Sequence, residues 1–355
     1  MNMLTEIQRF VTRERDDPRR RICIFGYYPY FGFRRMEFER TVRHVGLGRI
    51  SRKRISLKDI AGRLFYPNGS RGECAQVAVI NGNDKVLTPE NGTYVMSYYS
   101  DLQSDVKLES IRLLSHILAC FLVPFFFVQL RPNLSFREQL LYLGDAIYFT
   151  RIKRLLRQIA PQKIELTVSY SHYPVIAAAK SLGIPVTELQ HGAISYCHIG
   201  YSGMINIYFP DNLVPLDSMW EEYLEKNPLP LDPIRVNAQW VDTLPAIDYQ
   251  TFVKMHKADR ILVIGQETVH SELHSLYARL ASDSLDVVYR NHPRVKLETI
   301  PLEQQLADAD IVIGSYSTIL ATASSNKKVL IANIPGSEFL DILKDHPNVK
   351  VLTTD

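Results

Sequence analysis

The sequence predicts an α/β protein made of two doubly wound units that face each other across a cleft. Short apolar runs recur along the chain, each followed by a glycine or a small polar loop and then by a helical stretch. That alternation occurs twice, at 163–189 and again at 260–332. Between the two lies a proline-punctuated stretch of little periodicity, about 228–245, which reads as a linker. The chain has 355 residues, enough for two medium domains. Residues 1–240 are expected to form the first and 241–355 the second.

The apolar run 21–26 (RICIFG) ends on Gly26 and reads as a first buried strand. An aromatic loop follows, then a helical stretch at 34–44 and strands at 77–80 and 94–99. Helices are expected at about 105–130 and 136–160. In the second of these, Leu140, Leu143, Ile147, Ile152, Leu156 and Ile159 share one broad apolar face, and Pro161 stops it. A β-α-β unit comes next: strand 163–169, helix 174–182 closed by Gly183, and strand 184–189. Past the linker, strands at 260–265, 286–289, 310–314 and 328–332 alternate with helices at 269–280, 302–307 and 319–324.

Composition excludes several classes. Apolar residues make up 46% and charged residues 22%, with no low-complexity tract, so the chain is globular. A net charge of +3 does not mark the whole molecule as a polyanion binder, and no nucleic-acid motif is present. The charge is uneven, however, with Arg13, Arg15, Arg19, Arg20, Arg21, Arg34, Arg35, Arg40, Arg43, Arg49, Arg52, Lys53 and Arg54 crowded into the first sixth. That stretch is either a solvated basic face or an attraction to an anionic surface. The four cysteines form no CxxC pair and suggest neither zinc nor disulfides, and three of them read as reduced packing residues. The N-terminus has no apolar signal core, so a cytoplasmic compartment is expected. From 113 to 130 the chain reads LLSHILACFLVPFFFVQL, without a charged residue. This just reaches the ~18 residues of a membrane span. With His116, Pro124 and Gln129 inside it, a buried helix or an interfacial patch is expected rather than a span. Together with the basic stretch, it suggests peripheral contact with an anionic membrane at its inner face.

Ligands of open parallel sheets bind beyond the carboxyl ends of strands, and several polar groups fall there. Gln190-His191-Gly192 follows IPVTEL. A histidine there, beside a glycine that admits backbone, suits a general base or a phosphate contact. The loop continues through His198 and Tyr201. Asn291-His292-Pro293-Arg294 follows the strand DVVY; Pro293 fixes the turn, and His292 and Arg294 can meet phosphate. Gly314-Ser315-Tyr316-Ser317-Thr318 follows DIVIG, where a helix start leaves N–H groups for an anion; Ser317 alone also reads as a plain cap. Gly265-Gln266-Glu267-Thr268 after RILVIG is a site of the same kind. No metal-binding cluster, Walker loop or GxGxxG occurs.

The segments ELQHGAIS with HIGYS, YRNHPR, and GSYSTILATASSNKKVLIANIPGSEF resemble the bacterial capsule and surface-polysaccharide glycosyltransferases, over about residues 140 to 350. That group is similar in layout to CMP-sugar-using polysialyl and Kdo transferases and to CDP-glycerol glycerophosphotransferases. The resemblance implies a GT-B-like fold, two Rossmann-like doubly wound domains facing a cleft, with an acceptor-side first domain and a donor-binding second. It implies sugar transfer from a nucleotide-sugar donor, CMP- or CDP-linked, to a glycan or lipid-linked acceptor, without cofactor or metal. It implies His191 as base; Gln190, Gly192, His198 and Tyr201, from their place around it, are expected as acceptor or loop residues. It implies donor contacts at His292-Pro293 and Ser317-Thr318, to which position after a strand adds Gly265, Gln266, Arg294 and Ser315. Relatives often carry an acidic residue in the helix after the Ser-Thr pair, where it can hold ribose; this chain has Thr322. A nucleotide-sugar epimerase on the same fold and a non-catalytic assembly protein are the alternatives.

Overall fold

A computed structural model describes residues 3–42, 75–80, 93–97, 104–130, 134–203, 207–235, 240–266, 269–292, 299–334, 337–344 and 346–353. The fold is α/β with two six-stranded sheets, and every strand pair in them is parallel. The first sheet contains β1 (Gln76–Ile80), β2 (Tyr94–Ser97), β3 (Val106–Lys107), β4 (Lys163–Leu166), β5 (Val186–Leu189) and β6 (Asn212–Val214). Their spatial order is β3-β2-β1-β4-β5-β6, the order of a dinucleotide-binding domain. The second sheet contains β7 (Ala246–Asp248), β8 (Arg260–Ile264), β9 (Asp286–Arg290), β10 (Ile311–Gly314), β11 (Lys328–Ala332) and β12 (Val349–Thr353). Its order, β7-β12-β11-β10-β8-β9, is a flavodoxin-like arrangement with β7 added at one edge.

The helices are α1 (Met3–Glu14), α2 (Tyr30–Val42), α3 (Leu108–Leu130), α4 (Phe136–Ile159), α5 (Tyr173–Lys180), α6 (Ser218–Lys226), α7 (Tyr249–Met255), α8 (His270–Ser282), α9 (Leu302–Asp308) and α10 (Thr318–Ser324). Ser135 and Glu138 form a reciprocal capping box that starts α4, and Ala160 ends it in the left-handed conformation just before Pro161. Alternation along the second sheet sorts its side chains onto two faces. Leu262, Ile264, Val312 and Val329 lie in one core, and Ile261, Val263, Ile311 and Ile313 lie in the other, under α7 and α8.

The first core also contains Ile194, Tyr201, Trp220, Tyr223, Leu231, Trp240 and Leu244. The chain between the sheets is thus packed against the second sheet well before residue 240. The proline-rich stretch expected as a linker contributes buried side chains and short 3-10 turns at Pro233–Arg235 and Trp240–Thr243.

The expected strand at 21–26 does not form. Pro18–Arg21 is a 3-10 turn capped by Asp17. Phe25 and Gly26 then take positive φ, and Ile24 and Tyr27 exchange backbone hydrogen bonds across the tight turn. Only Ile24 and Tyr27 enter the core from this segment, while Phe25 is exposed. Part of the basic stretch is structural rather than solvated. Arg34 is buried, ion-paired to Glu14 at 2.5 Å, and donates to the Ile199 carbonyl. Arg19 joins Asp17 and Glu138. The basic residues from Arg43 to Arg54 lie outside the described residues, as does Cys74. Of the cysteines, Cys197 is buried while Cys23 and Cys120 are exposed rather than packed.

Asp341 shows how α6 is held. It is buried in the 3-10 turn Ser337–Leu343, and the Tyr223 hydroxyl of α6 donates to it at 2.6 Å. Burial pushes its carboxyl from an ordinary 3.8 up to about 7. Between those values the folded state holds a proton that the unfolded chain has released, so stability falls as pH rises through that window. Asp341→Asn keeps an acceptor for Tyr223 and removes this titration. Urea unfolding at pH 4 and pH 8 is expected to show a smaller loss of stability with rising pH in the variant than in the wild type; equal slopes would locate the titration elsewhere.

Candidate functional site

Strand order fixes where a ligand can enter. In the second sheet, the chain leaves β8 in one direction to form β9 and returns on the other side to form β10. The loops after β8 and β10 therefore diverge and leave a crevice at the carboxyl ends. Gly265-Gln266 and Ser315 sit at those two ends. In the first sheet the order reverses between β1 and β4, so the segment after β4, residues 167–172, occupies the equivalent place, with the loop after β5 next to it.

At the second crevice, Gly265 extends the ladder by donating to the Arg290 carbonyl at 2.8 Å. A side chain there has no room: a Cβ would lie 2.6 Å from the Tyr289 hydroxyl and 2.9 Å from the Arg290 carbonyl oxygen. Ser315 is fully buried, and its Oγ has no hydrogen-bond partner among the described residues. A buried hydroxyl in that state is a cost unless something else accepts or donates. Helix α8 begins just beyond, and no side chain caps its start at Val269 among the described residues. Its first-turn N–H groups and positive dipole end suit an anion. His270, the first residue of α8, pairs with the Tyr289 hydroxyl at 3.0 Å, so the pair lines the same end of the sheet. His292, Gln266 and Thr318 are half-buried. Pro293 and Arg294 lie outside the described residues, as do Glu267 and Thr268. Ser317 is the plain cap of α10, its side chain accepting from Ile319 N at 3.3 Å. Thr322 is exposed and shares a cavity of about 280 Å³ with Glu303 and Lys327.

At the first sheet, Glu188 stands on β5 beside Leu166 of β4, in the row where its neighbours are apolar. It is fully buried. The Tyr201 hydroxyl donates to its Oε1 at 2.5 Å, and the Ser169 backbone N–H donates to the same oxygen at 3.0 Å. Burial pushes the carboxyl up, and these hydrogen bonds pull it back toward ionisation. Gln190 is buried, donating to the Gly192 carbonyl and accepting from Leu216 N–H, so it shapes the turn around His191. His191 itself is exposed at the mouth. His198 accepts from Gly200 N–H through Nδ1 and packs, with its ring tilted, against Tyr170 and Tyr201. Gly200 has no room for a Cβ, which would lie 2.5 Å from the Tyr170 ring.

Tyr201 and Gln190, expected as acceptor or loop residues, are buried and hold the loop. Sequence reasoning also passed over Glu188, the Tyr289–His270 pair and the segment after β4. That segment holds Val168 at φ 56, an uncommon backbone for a β-branched residue, and a fully buried His172 whose pKa burial lowers to about 3. Glu188 had a signal, since it is a carboxylate inside an otherwise apolar strand. The other two depend on tertiary neighbours and had none.

No protein-family model and no curated protein sequence matches the chain. Some solved structures are similar. The spinosyn rhamnosyltransferase SpnG complexed with spinosyn aglycone is 12% identical, over 68% of this chain and 68% of that one, at a TM-score of 0.37. The glycosyltransferase SnogD from Streptomyces nogalater is 14% identical, over 80% and 87%, at 0.38. The lipopolysaccharide outer core galactosyltransferase WaaB, apo form, is 11% identical, over 79% and 86%, at 0.36. At these values the likeness assigns neither activity nor substrate to this chain.

The Glu188–Tyr201 bond is testable by itself. Tyr201→Phe keeps the ring and removes the donor, leaving a buried carboxylate undercompensated. A loss of about 1–3 kcal/mol is expected. Because the carboxyl resists ionisation in the fold, the loss should grow with pH. Denaturation at pH 5 and pH 8 reads it, and a variant as stable as the wild type at both would remove the bond as a structural tie.

Proposed function

We propose that this chain is a glycosyltransferase that moves a sugar from a nucleotide-activated donor to a growing surface polysaccharide or glycolipid. The observation that carries the reading is the seating of the loop after His191. Its residues Ile194 and Tyr201 pack in one core with Ile264 and Val312, from the strands whose carboxyl ends bear Gly265 and Ser315. A candidate base and a candidate anion cradle therefore belong to one packed body.

In this reading the donor phosphate lies against the start of α8, over Gly265, with the Ser315 hydroxyl and His292 as donors to its oxygens. The acceptor hydroxyl attacks the anomeric carbon, the bond from that carbon to the phosphate oxygen breaks, and the nucleotide leaves with the electron pair. His191 takes the hydroxyl proton. Helix-terminal N–H groups aimed at the leaving phosphate stabilise the charge that grows on it. In this reading the helix N–H groups, Ser315 and His292 meet the phosphate charge, so no metal ion is invoked. A CMP- or CDP-linked donor rests on the motif resemblance alone.

Two measurements test the reading. Thermal shift against CMP, CDP, UDP and GDP is expected to show stabilisation by a cytidine nucleotide, since a ligand of the native state raises apparent stability. Ser315→Ala should weaken that binding by about 0.5–1.5 kcal/mol, and His292→Ala by about 1.5–3 kcal/mol. No shift with any nucleotide would sink the donor site. Separately, His191→Ala should lower turnover by roughly 10²–10⁴ with nucleotide affinity unchanged. Lost affinity with preserved turnover at saturation would make His191 a phosphate contact instead.

A further inference from the structure

Helix α3 is built inside out for a protein in water. Its inner face presents Leu108, Ile111, Ser115, Ala119 and Val123 to the body of the protein. Its outer face presents Ile117, Leu118, Cys120, Phe121, Pro124 and Phe125, with Phe121 70% and Phe125 78% exposed. The larger apolar side chains are outside and several of the smaller ones inside. Small residues let α3 lie close on α4: a Cβ on Gly144 would lie 2.6 Å from the His116 ring. Close packing through small residues with bulky residues turned outward is the arrangement of helices whose surroundings are lipid. Exposed apolar surface of this continuity is rare on a protein that meets only water.

We propose that α3 lies in the plane of a membrane surface, with Ile117, Leu118, Phe121 and Phe125 inserted among the lipids of an anionic leaflet. Two observations choose this occupant. First, every exposed charged residue of α3 and α4 is an arginine: Arg137, Arg154 and Arg157. Arg137 follows Phe136, itself 58% exposed. The exposed charge of this helix pair is thus positive throughout, which anionic headgroups complement. Second, α3 has the length and composition of a span over Leu108–Phe125, but it is tied along one side to the body of the first sheet. One face is committed to α4, through His116 and through the Arg112–Asp145 ion pair at 3.6 Å. The inference stands whether or not the chain transfers a sugar.

The full chain is mixed with vesicles of phosphatidylglycerol and phosphatidylethanolamine, and separately of phosphatidylcholine, and floated. Binding is expected to the anionic vesicles and to persist, weakened, at about 1 M salt, where the Debye length is about 3 Å. Phe121→Ser with Phe125→Ser should lower partitioning on the order of 100-fold, given the transfer free energy of two phenylalanines. Both residues are exposed, so the variant's melting temperature and nucleotide response should match the wild type. In a second measurement, Phe125→Trp should be quenched by lipids brominated in the acyl chain; the native Trp220 and Trp240 are buried and give little background. Complete release by salt, or a double variant that floats as well as the wild type, would overturn insertion. So would an unquenched Trp at 125. A wild type that ignores vesicles and elutes as a dimer that the double variant dissociates would show the face to be a contact between copies.

Discussion

The buried carboxylate of Glu188 is the constraint on which the placement of the two sheets depends. A carboxylate taken fully out of water costs several kcal/mol unless hydrogen bonds replace the lost solvent. Its partners come from different places. Ser169 belongs to the segment leaving β4, while Tyr201 sits in the core packed on the second sheet. The cost is offset only when the loop after β5 is seated on that core, so the same carboxylate that burdens β5 specifies where the loop goes. Burial and the neighbouring Glu188 charge push the Tyr201 hydroxyl far above its usual pKa, so it remains a donor at any ordinary pH. Arg34 reinforces the seat from the other side, joining Glu14 of α1 to the Ile199 carbonyl. Gly203 accommodates it, since a Cβ there would lie 2.5 Å from the guanidinium.

Much of the fold is legible in the sequence because parallel strands buried on both faces are short apolar runs with few rivals. RILVIG, DIVIG and KVLIA each form a strand within a residue of the reading. The run RICIFG has the same composition and fails. Its fate is decided by Asp17 capping the turn before it and by the positive φ at Phe25 and Gly26 within it, neither of which is a periodicity. The strands that went unread are β3, β6, β7 and β12. Three of these are only two or three residues long, and Asn212–Val214 and Ala246–Asp248 alternate too briefly to stand out. For the site, position after a strand is readable and role is not. Nothing in QHG separates a buried Gln190 that shapes the turn from an exposed His191 that can react.

Helix α3 marks a different limit. From 113 to 130 it carries no charge and has apolar residues on every side, so no stripe tells the inner face from the outer, and the sequence leaves a buried helix and an interfacial one both open. The decision comes from α4, whose Gly144 and Asp145 receive His116 and Arg112 and so turn the other face out. Asp145 is itself fully buried and accepts from the Tyr27 hydroxyl at 2.9 Å, which leaves it no freedom to let Arg112 go. The orientation of the greasy face is thus set by a polar contact on the opposite side.

The same polar layer reaches the candidate base. His172, fully buried behind the carboxyl end of β4, is held neutral down to about pH 3, chiefly by burial and further by the charges of Arg112 and His191. A charge on His191 that bears on His172 implies that a charge on His172 would bear equally on His191, since the interaction is mutual. If His172 were protonated near neutrality, it would oppose proton uptake by His191. Because it is neutral, His172 places no charge beside His191. Of His172 and His191, only His191 is exposed. The buried one serves by staying uncharged.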